Sequence, residues 1–301
     1  MNRNEPCVLL LTHSQEPFCT ERVAGALLAR GARPLRLDTD DFPSALPLTG
    51  EFDPATGARL LWGDEPLRVD AVWLWRLWPA RLDPHLPAAH RGASLRESAV
   101  ALRGLVDLLG PVPWIDPHDA VRAAENKARQ LRLAHARGLT IPPTLITADP
   151  AAARRFWHAQ RGDVVAKLQT SLGHSMAGGG GLPTRRVGAA DLDALDGLRH
   201  CPMIFQRYVQ KAMELRIAWI DGVALVGALD GARCGVDWRS ECSAEWQHHA
   251  LPAPVHARLA ALMADLGLRQ GAIDMIVDPA GDHVFLEVNP HGEWGMLERD
   301  L

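Results

Sequence analysis

The sequence predicts a mixed α/β protein, and three observations carry that reading. Short apolar runs such as Cys7–Leu11 alternate with helix-length amphipathic segments. The first run, a Thr20–Arg30 helix stopped by Gly31 and a Pro34–Leu37 run make a βαβ opening of the doubly wound type. Two hairpins are expected towards the C-terminus, one turning at Asp221-Gly222 and one around Pro279-Ala280-Gly281.

The remaining elements follow in order. Arg59–Trp62 and Ala71–Trp75 are strand runs, and Gly92–Leu109 has helical spacing ended by Pro111–Pro113. Asp119–Gly138 reads as one helix, with Ala124, Ala128, Leu131 and Ala134 at helical spacing. Pro142-Pro143 forces extended chain before the Thr144–Thr147 strand. An Asp149–Ala159 helix begins at Pro150, where a missing N–H costs nothing. Val164–Leu168 is a strand, Asp191–Leu198 a short acidic helix and Met203–Val209 a strand. Glu214–Ile220 pairs with Val223–Leu229 as the first hairpin. A Pro252–Leu266 helix precedes the second hairpin, Ala272–Val277 with His283–Asn289, where Gly281 is the expected bulge.

Composition narrows the function. In 301 residues, 47% hydrophobic content is enough to build packed cores, which argues against disorder. A net charge of −4 leaves no basic field for nonspecific nucleic-acid binding. No apolar stretch is long enough to cross a membrane, and the N-terminal run is too short for a secretory segment. Cys7, Cys19, Cys201, Cys234 and Cys242 show no CxxC spacing, so free thiols in a reducing cytoplasm are expected. No GxGxxG follows the first strand, and no GxSxG or HExxH is present, so dinucleotide and nucleophile–base chemistries are disfavoured.

The second hairpin concentrates chemistry. Glu287 and Asn289 lie two apart and share a strand face, with Asp274 on the partner strand. Two carboxylates and an amide oxygen suit a hard cation such as Mg²⁺; a solvated edge hairpin is the alternative. Lys127 opens the middle of the chain, and Lys167 ends an apolar strand before the Gly-rich Ser171–Gly181 segment. A point charge beside exposed backbone N–H groups suits phosphate, and the glycine tract reads as a lid or as a plain linker. Gln206, Arg207, Tyr208 and Val209 could present backbone groups to an adenine, although Tyr208 could equally pack in a core. Glu214 and Arg216 share a strand face, where Arg216 could stabilise charge on a transferred phosphoryl group.

Taken together, these pieces resemble the ATP-grasp carboxylate–amine ligases, and within them the microviridin-type peptide macrocyclases, or graspetide synthetases. The resemblance rests on Glu125-Asn126-Lys127 with Gln130-Leu131, Ile141-Pro142-Pro143-Thr144, and Val165-Ala166-Lys167-Leu168 leading into Ser171–Met176. Pro183-Thr184-Arg185, Gln206, Tyr208, Glu214-Leu215-Arg216 and Ile273-Asp274 continue it. Phe285-Leu286-Glu287-Val288-Asn289-Pro290 with Gly292 and Trp294 completes it. It spans nearly the whole chain.

The resemblance implies an ATP-grasp fold in three parts: a pre-ATP-grasp α/β unit over 1–115, a linker helix and lid over 116–210, and a metal-binding unit over 211–301. It implies that Lys127 and Lys167 contact ATP phosphates, that Gln206–Val209 form the adenine hinge and that Glu214 approaches the ribose. Asp274, Glu287 and Asn289 would hold Mg²⁺, as two ions, and Arg216 would serve the acyl-phosphate step. Arg76, Ser175, Asp191, Asp237 and Arg239 are candidate substrate contacts. The implied reaction activates an Asp or Glu side chain of a ribosomal precursor peptide with ATP. A Ser, Thr or Lys side chain of the same peptide then displaces the phosphate, giving an ester or amide and ADP. The implied partners are that precursor, with its leader, and a second copy of the chain, with neither nucleic acid nor membrane. A RimK-type intermolecular ligase is the rival reading, and a nucleotide-binding regulator without turnover a lesser one. The four consecutive glycines at Gly178–Gly181 and the end of the chain eleven residues after Pro290 depart from the family pattern. The latter leads us to expect a missing final helix.

Other features have plainer readings. Trp73, Trp75 and Trp78 are expected to pack as core, with Arg76 facing a substrate carboxylate as the functional alternative. Asp191, Asp193 and Asp196 read as a solvated acidic face, or a dock for a basic leader residue. The spacings of Cys201, Cys234, Cys242 and the His248-His249 pair match no zinc pattern.

Overall fold

The computed structural model describes residues 5–16, 18–170, 183–242 and 244–301. The chain forms two compact units, Met1–Asp119 and Ala120–Leu301. Among the described residues, no helix is long and apolar enough to cross a membrane.

The first unit opens with β1 (Cys7–Thr12), α1 (Cys19–Leu28) and β2 (Arg33–Asp38). It continues with β3 (Leu48–Asp53), β4 (Gly57–Trp62), β5 (Glu65–Pro66), β6 (Ala71–Leu74), α2 (Ala88–Asp107) and β7 (Trp114–Ile115). A parallel sheet in the order β2-β1-β6-β7 is its centre. Leu9, Leu10 and Leu11 of β1 are fully buried, as the central strand of a sheet covered on both faces requires. β3, β4 and β5 form a separate antiparallel meander, of which sequence patterning shows only the β4 run. Gly50 contributes to the gap: a side chain there would meet Leu105 of α2 and Leu108 just after it at 2.9 Å, so the apolar alternation of β3 is broken between Leu48 and Phe52. Trp73 and Trp75 are buried, with ring centroids 5.4 Å apart, which is the expected core reading.

At the carboxyl ends of these strands, the His13 and Trp78 rings stack with centroids 3.6 Å apart. Buried Asp40 accepts hydrogen bonds from the Ser14 N–H at 2.8 Å and the Ser14 hydroxyl at 2.6 Å. Arg76 follows β6, and its N–H donates to the Leu11 carbonyl at 3.3 Å.

The second unit begins within α3 (His118–Ala124), which is followed by α4 (Lys127–Ala136). These two helices replace the single Asp119–Gly138 helix expected from periodicity. The Asn126 side chain accepts from the Arg129 N–H at 3.0 Å and caps a new helix. Lys127 thereby occupies the first position of α4 rather than a mid-helix face.

Next come β8 (Thr144–Thr147), α5 (Pro150–Ala159), β9 (Val164–Lys167), β10 (Arg185–Arg186) and β11 (Met203–Arg207). They make an antiparallel sheet in the order β10-β9-β11-β8. Phe205, Val164 and Ala166 pack with Leu195 and Leu198 to form its core. The last two belong to a 3₁₀ run, Ala189–Arg199, in place of the short α-helix expected there.

A second sheet is built from β12 (Met213–Ile220), β13 (Val223–Asp230), α6 (Trp238–Glu241) and β14 (Gln247–His248). It is completed by α7 (Ala253–Leu266), β15 (Gln270–Val277) and β16 (His283–Asn289), and α8 (Gly295–Asp300) follows. The strand order is β14-β13-β12-β15-β16. Asp221 and Gly222 both take positive φ, at 48° and 87°, as a tight hairpin between β12 and β13 demands. The Leu259, Leu262, Met263 and Leu266 face of α7 is buried. The second hairpin carries its irregularity at Leu286 rather than at Gly281. Asp274 pairs with Glu287 and Met275 with Phe285, leaving Leu286 as the extra residue.

Cys234 and Cys242 form a disulfide, which corrects the expectation of five free thiols. A 3₁₀ turn at Gly231–Arg233 and helix α6 fold the intervening segment back until the two Cα atoms are 4.6 Å apart. A spacing of eight carries no signature in sequence, so only the fold reveals the pairing.

Candidate active site

The second unit holds an open cavity. It lies where the ends of β9 and β11 meet the face of the β12–β15–β16 ladder. Lys167, Gln206, Arg207, Tyr208, Val209, Glu214, Asp237, Arg239, Asp274 and Glu287 all line it. Ten of the candidate residues, scattered over more than a hundred positions, are thus brought to one cavity.

The register of the ladder explains the cluster at its base. Arg216 on β12 pairs with Asp274 on β15, and Asp274 pairs with Glu287 on β16. The Arg216 Nη1 donates to both Asp274 oxygens, at 2.8 and 3.0 Å, and its Nε and Nη2 donate to the Glu293 carbonyl. Lys127 reaches Glu287 from the start of α4 at 3.1 Å, and Lys167 reaches the same carboxylate at 3.9 Å. Arg239 stands 3.9 Å from Asp274 and 3.8 Å from Asp237. Asn289 completes the group: its Nδ2 donates to Asp274 at 3.2 Å and to Glu287 at 3.4 Å.

Electrostatics follow from this crowding. Burial would raise the Glu287 carboxyl, but the ammonium groups of Lys127 and Lys167 overcome it and hold it down to about 2. Burial lowers Lys167 in turn, against the opposing pull of Glu287. Four cations, Lys127, Lys167, Arg216 and Arg239, surround the two carboxylates Asp274 and Glu287. Around these two acids positive charge is in excess, which favours a polyanion such as a nucleotide triphosphate.

The donor set also fits a divalent cation. Asp274, Glu287 and the Asn289 amide converge on one face, and the amide can present its oxygen by a flip. Among the described residues, no group of three His, Cys, Asp or Glu side chains could hold a metal. The remaining ligands must come from water and phosphate oxygens, which is how Mg²⁺ is ordinarily held beside a nucleotide.

Sequence reasoning missed Lys211. It is 7% exposed, lines the cavity and ion-pairs with Glu214. Burial raises the Glu214 carboxyl, with Lys211 opposing. Gly231 makes the position possible, because a side chain there would meet the Lys211 carbonyl oxygen at 2.3 Å. Nothing in the sequence flags this lysine beyond its i,i+3 spacing to Glu214. Thr184, Trp238 and Leu286 also line the cavity. The Thr184 N–H donates to Asp237 at 3.2 Å, tying the segment before β10 to the start of α6.

The other candidates are placed differently. Asp191 does not line the cavity; it pairs with Arg185 at 2.9 Å and accepts from the Gly188 N–H, closing the 3₁₀ run. Arg76 belongs to the first unit. Ser175 and the Gly-rich segment lie outside the described residues.

Known proteins show the family to which the chain belongs. No curated protein sequence matches the chain. The family described as the MvdD pre-ATP grasp domain matches residues 7–122. The macrocyclase MdnB of Microcystis aeruginosa MRC is 42% identical, covering 98% of this chain and 95% of its own, with a TM-score of 0.83. The chain belongs to the microviridin-type ATP-grasp macrocyclase family. MdnC of the same organism, solved with its precursor peptide MdnA, is 32% identical at a TM-score of 0.86, covering 98% of this chain and 94% of its own. An ATP-grasp ligase associated with ribosomal peptide products in Chryseobacterium gregarium was solved with ADP and with leader and core peptides. It is 27% identical at a TM-score of 0.85, covering 98% of this chain and 92% of its own. Membership makes the chain an ATP-grasp, ADP-forming ligase with the mixed α/β fold of that family.

Proposed function

We propose that this chain cross-links side chains within a ribosomal precursor peptide, using ATP to activate an Asp or Glu carboxylate. The observation that carries the reading is the cluster in which four cations surround Asp274, Glu287 and the Asn289 amide, with both carboxylates lining the cavity. Lys127 and Lys167 would hold the phosphates, the Gln206–Val209 edge the adenine, and Glu214, fixed by Lys211, the ribose. Asp274, Glu287 and Asn289 would hold Mg²⁺, as two ions, which would supply positive charge to offset that of the phosphates.

The chemistry needs no nucleophile from the protein. A substrate carboxylate oxygen attacks the γ-phosphorus, and ADP leaves. A Ser or Thr hydroxyl or a Lys amine of the same peptide then attacks the acyl carbon, and phosphate departs with the bond to oxygen. The nucleophile loses its proton to solvent, and the peptide is lighter by one water per ring. Arg216 would stabilise the charge developing on the transferred group. Arg239 at the cavity wall would meet the substrate carboxylate, with Asp237, Arg76, Ser175 and Asp191 as further substrate contacts. We assign the lid to 116–210, the metal-binding part to 211–301 and the pre-ATP-grasp part to 1–115, in a cytoplasmic homodimer.

Intact-mass spectrometry of a peptide encoded beside this gene, incubated with protein, ATP and Mg²⁺, tests the reading. Loss of one water mass per bond with ADP release is expected. Gain of an amino-acid mass would make the chain an intermolecular ligase instead. Nucleotide binding with neither product nor ADP, for every neighbouring peptide, would favour a regulator.

A further inference from the structure

Among the described residues β16 is the edge strand of its sheet, and beyond it lies only a single bridge between Thr140 and Val284. Near its start the Phe285 N–H finds the Thr140 carbonyl at 2.8 Å. At Val288, between the candidate metal ligands Glu287 and Asn289, a side chain takes the place of a strand. Gln130 of α4 accepts the Val288 N–H through Oε1 at 2.8 Å and donates Nε2–H to the Val288 carbonyl at 2.7 Å. Its second amide hydrogen goes to the Ala124 carbonyl at 2.6 Å, at the end of α3.

A primary amide carries a donor and an acceptor arranged as in a peptide group, so Gln130 reproduces one rung of a ladder. With both hydrogens and its oxygen used, it can be 1% exposed without leaving an unpaired polar atom. Clamping both polar groups of one strand residue fixes the backbone on either side of it. The flanking residues i−1 and i+1 project to the same face. Their separation and direction are therefore held by the β15 ladder on one side and by Gln130 on the other.

We propose that Gln130 is a positioning residue for the divalent cation: it holds Glu287 and Asn289 at the spacing the ion needs, without touching ion or nucleotide. The proposal rests on the metal role assigned to those two residues above. Lys127, whose Nζ also lies 3.3 Å from the Val288 carbonyl, supplies charge at the same point but cannot accept the Val288 N–H.

The test is ADP affinity by titration calorimetry, in EDTA and across a Mg²⁺ series, for wild type, Gln130→Met and Gln130→Glu. Met keeps the volume and removes the whole rung; Glu keeps the shape and the acceptor but sets an oxygen against the Val288 and Ala124 carbonyls in place of both donors. Expected is a loss in apparent Mg²⁺ affinity of about 10- to 100-fold for Gln130→Met, the scale on which groups behind metal ligands act, and a loss on the same scale for Gln130→Glu. Affinity in EDTA should stay within twofold. Equal losses with and without Mg²⁺, no loss at all, or failure of both variants to fold would overturn the proposal and leave Gln130 a structural link. Asp274→Asn and Glu287→Gln serve as controls. If they leave Mg²⁺ affinity intact, the metal assignment itself fails and this inference with it; if they abolish it while Gln130→Met does not, only the Gln130 inference falls.

Discussion

Arg216 grips both oxygens of Asp274 through a single guanidinium nitrogen, and the two residues sit directly opposite each other on paired strands. The rest of that guanidinium is anchored on the Glu293 carbonyl. The charge is therefore fixed in direction before any substrate arrives, as electrostatic catalysis requires. A lysine cannot make the same contacts. Arg216→Lys should lower the rate of ADP formation by about 10²- to 10³-fold, the scale for loss of one preorganised charge stabiliser. Nucleotide affinity measured by calorimetry should change far less.

Lys167 and the acids divide the work differently. Lys167→Ala should weaken ATP binding by about 10- to 100-fold, the ~1.5–3 kcal/mol of a hydrogen bond to a charged group. Asp274→Ala and Glu287→Ala should abolish Mg²⁺-dependent ADP formation while circular dichroism stays native. Full turnover in either acid variant would remove the metal assignment.

The Lys211–Glu214 pair offers a stability test. Side-chain exposures of 3% and 11% place both charges out of water. Lys211→Met leaves Glu214 buried without its partner and should cost about 3–5 kcal/mol in denaturant unfolding. Adding Glu214→Leu should restore most of that loss, because the unpaired charge is what makes the single change costly.

His13 predicts a pH dependence. Burial, with Arg76 adding to it, holds the imidazole below its ordinary pKa. Below about pH 6.5 the unfolded chain binds a proton that the folded one refuses. Stability should therefore fall as the pH drops from that value towards the folded-state pKa, and level off beyond it. His13→Phe keeps the ring over Trp78 and should flatten the slope in thermal scans between pH 5 and 7.

The disulfide predicts a thiol count. Denatured without reductant, the protein should expose three titratable thiols, those of Cys7, Cys19 and Cys201. Reductant should raise the count to five. Five without reductant would mean that Cys234 and Cys242 stay reduced.

Legibility in the sequence followed the range of the forces involved. The β12–β13 and β15–β16 hairpins were readable because each rests on alternation and a turn within a few residues. The break between α3 and α4 was not, because Ala124 and Ala128 continue the helical period while the Asn126 cap interrupts the backbone. β3 escaped because Gly50 is selected by its fit under α2 rather than by strand patterning. At the site, acids, lysines and Arg216 declared themselves by residue type and by resemblance. Lys211 did not, and Gln130 entered only as part of the resemblance with no role attached, because their importance lies in what is brought to them from Glu214 and Val288.

One extra residue in β16 has a consequence for how that strand can change. Phe285 is fully buried and pairs with Met275, whereas Glu287, two positions on, pairs with Asp274 and faces the cavity. An unbroken strand would send both the same way. Leu286 acts as a phase shift, so that the first half of the strand answers to the hydrophobic interior and the second half to the ligand. Substitutions on one side of it can be selected without disturbing the other. Deleting Leu286 would make Phe285 and Glu287 neighbours that still face opposite ways against Met275 and Asp274, so the register would survive while the cavity lost the leucine from its wall.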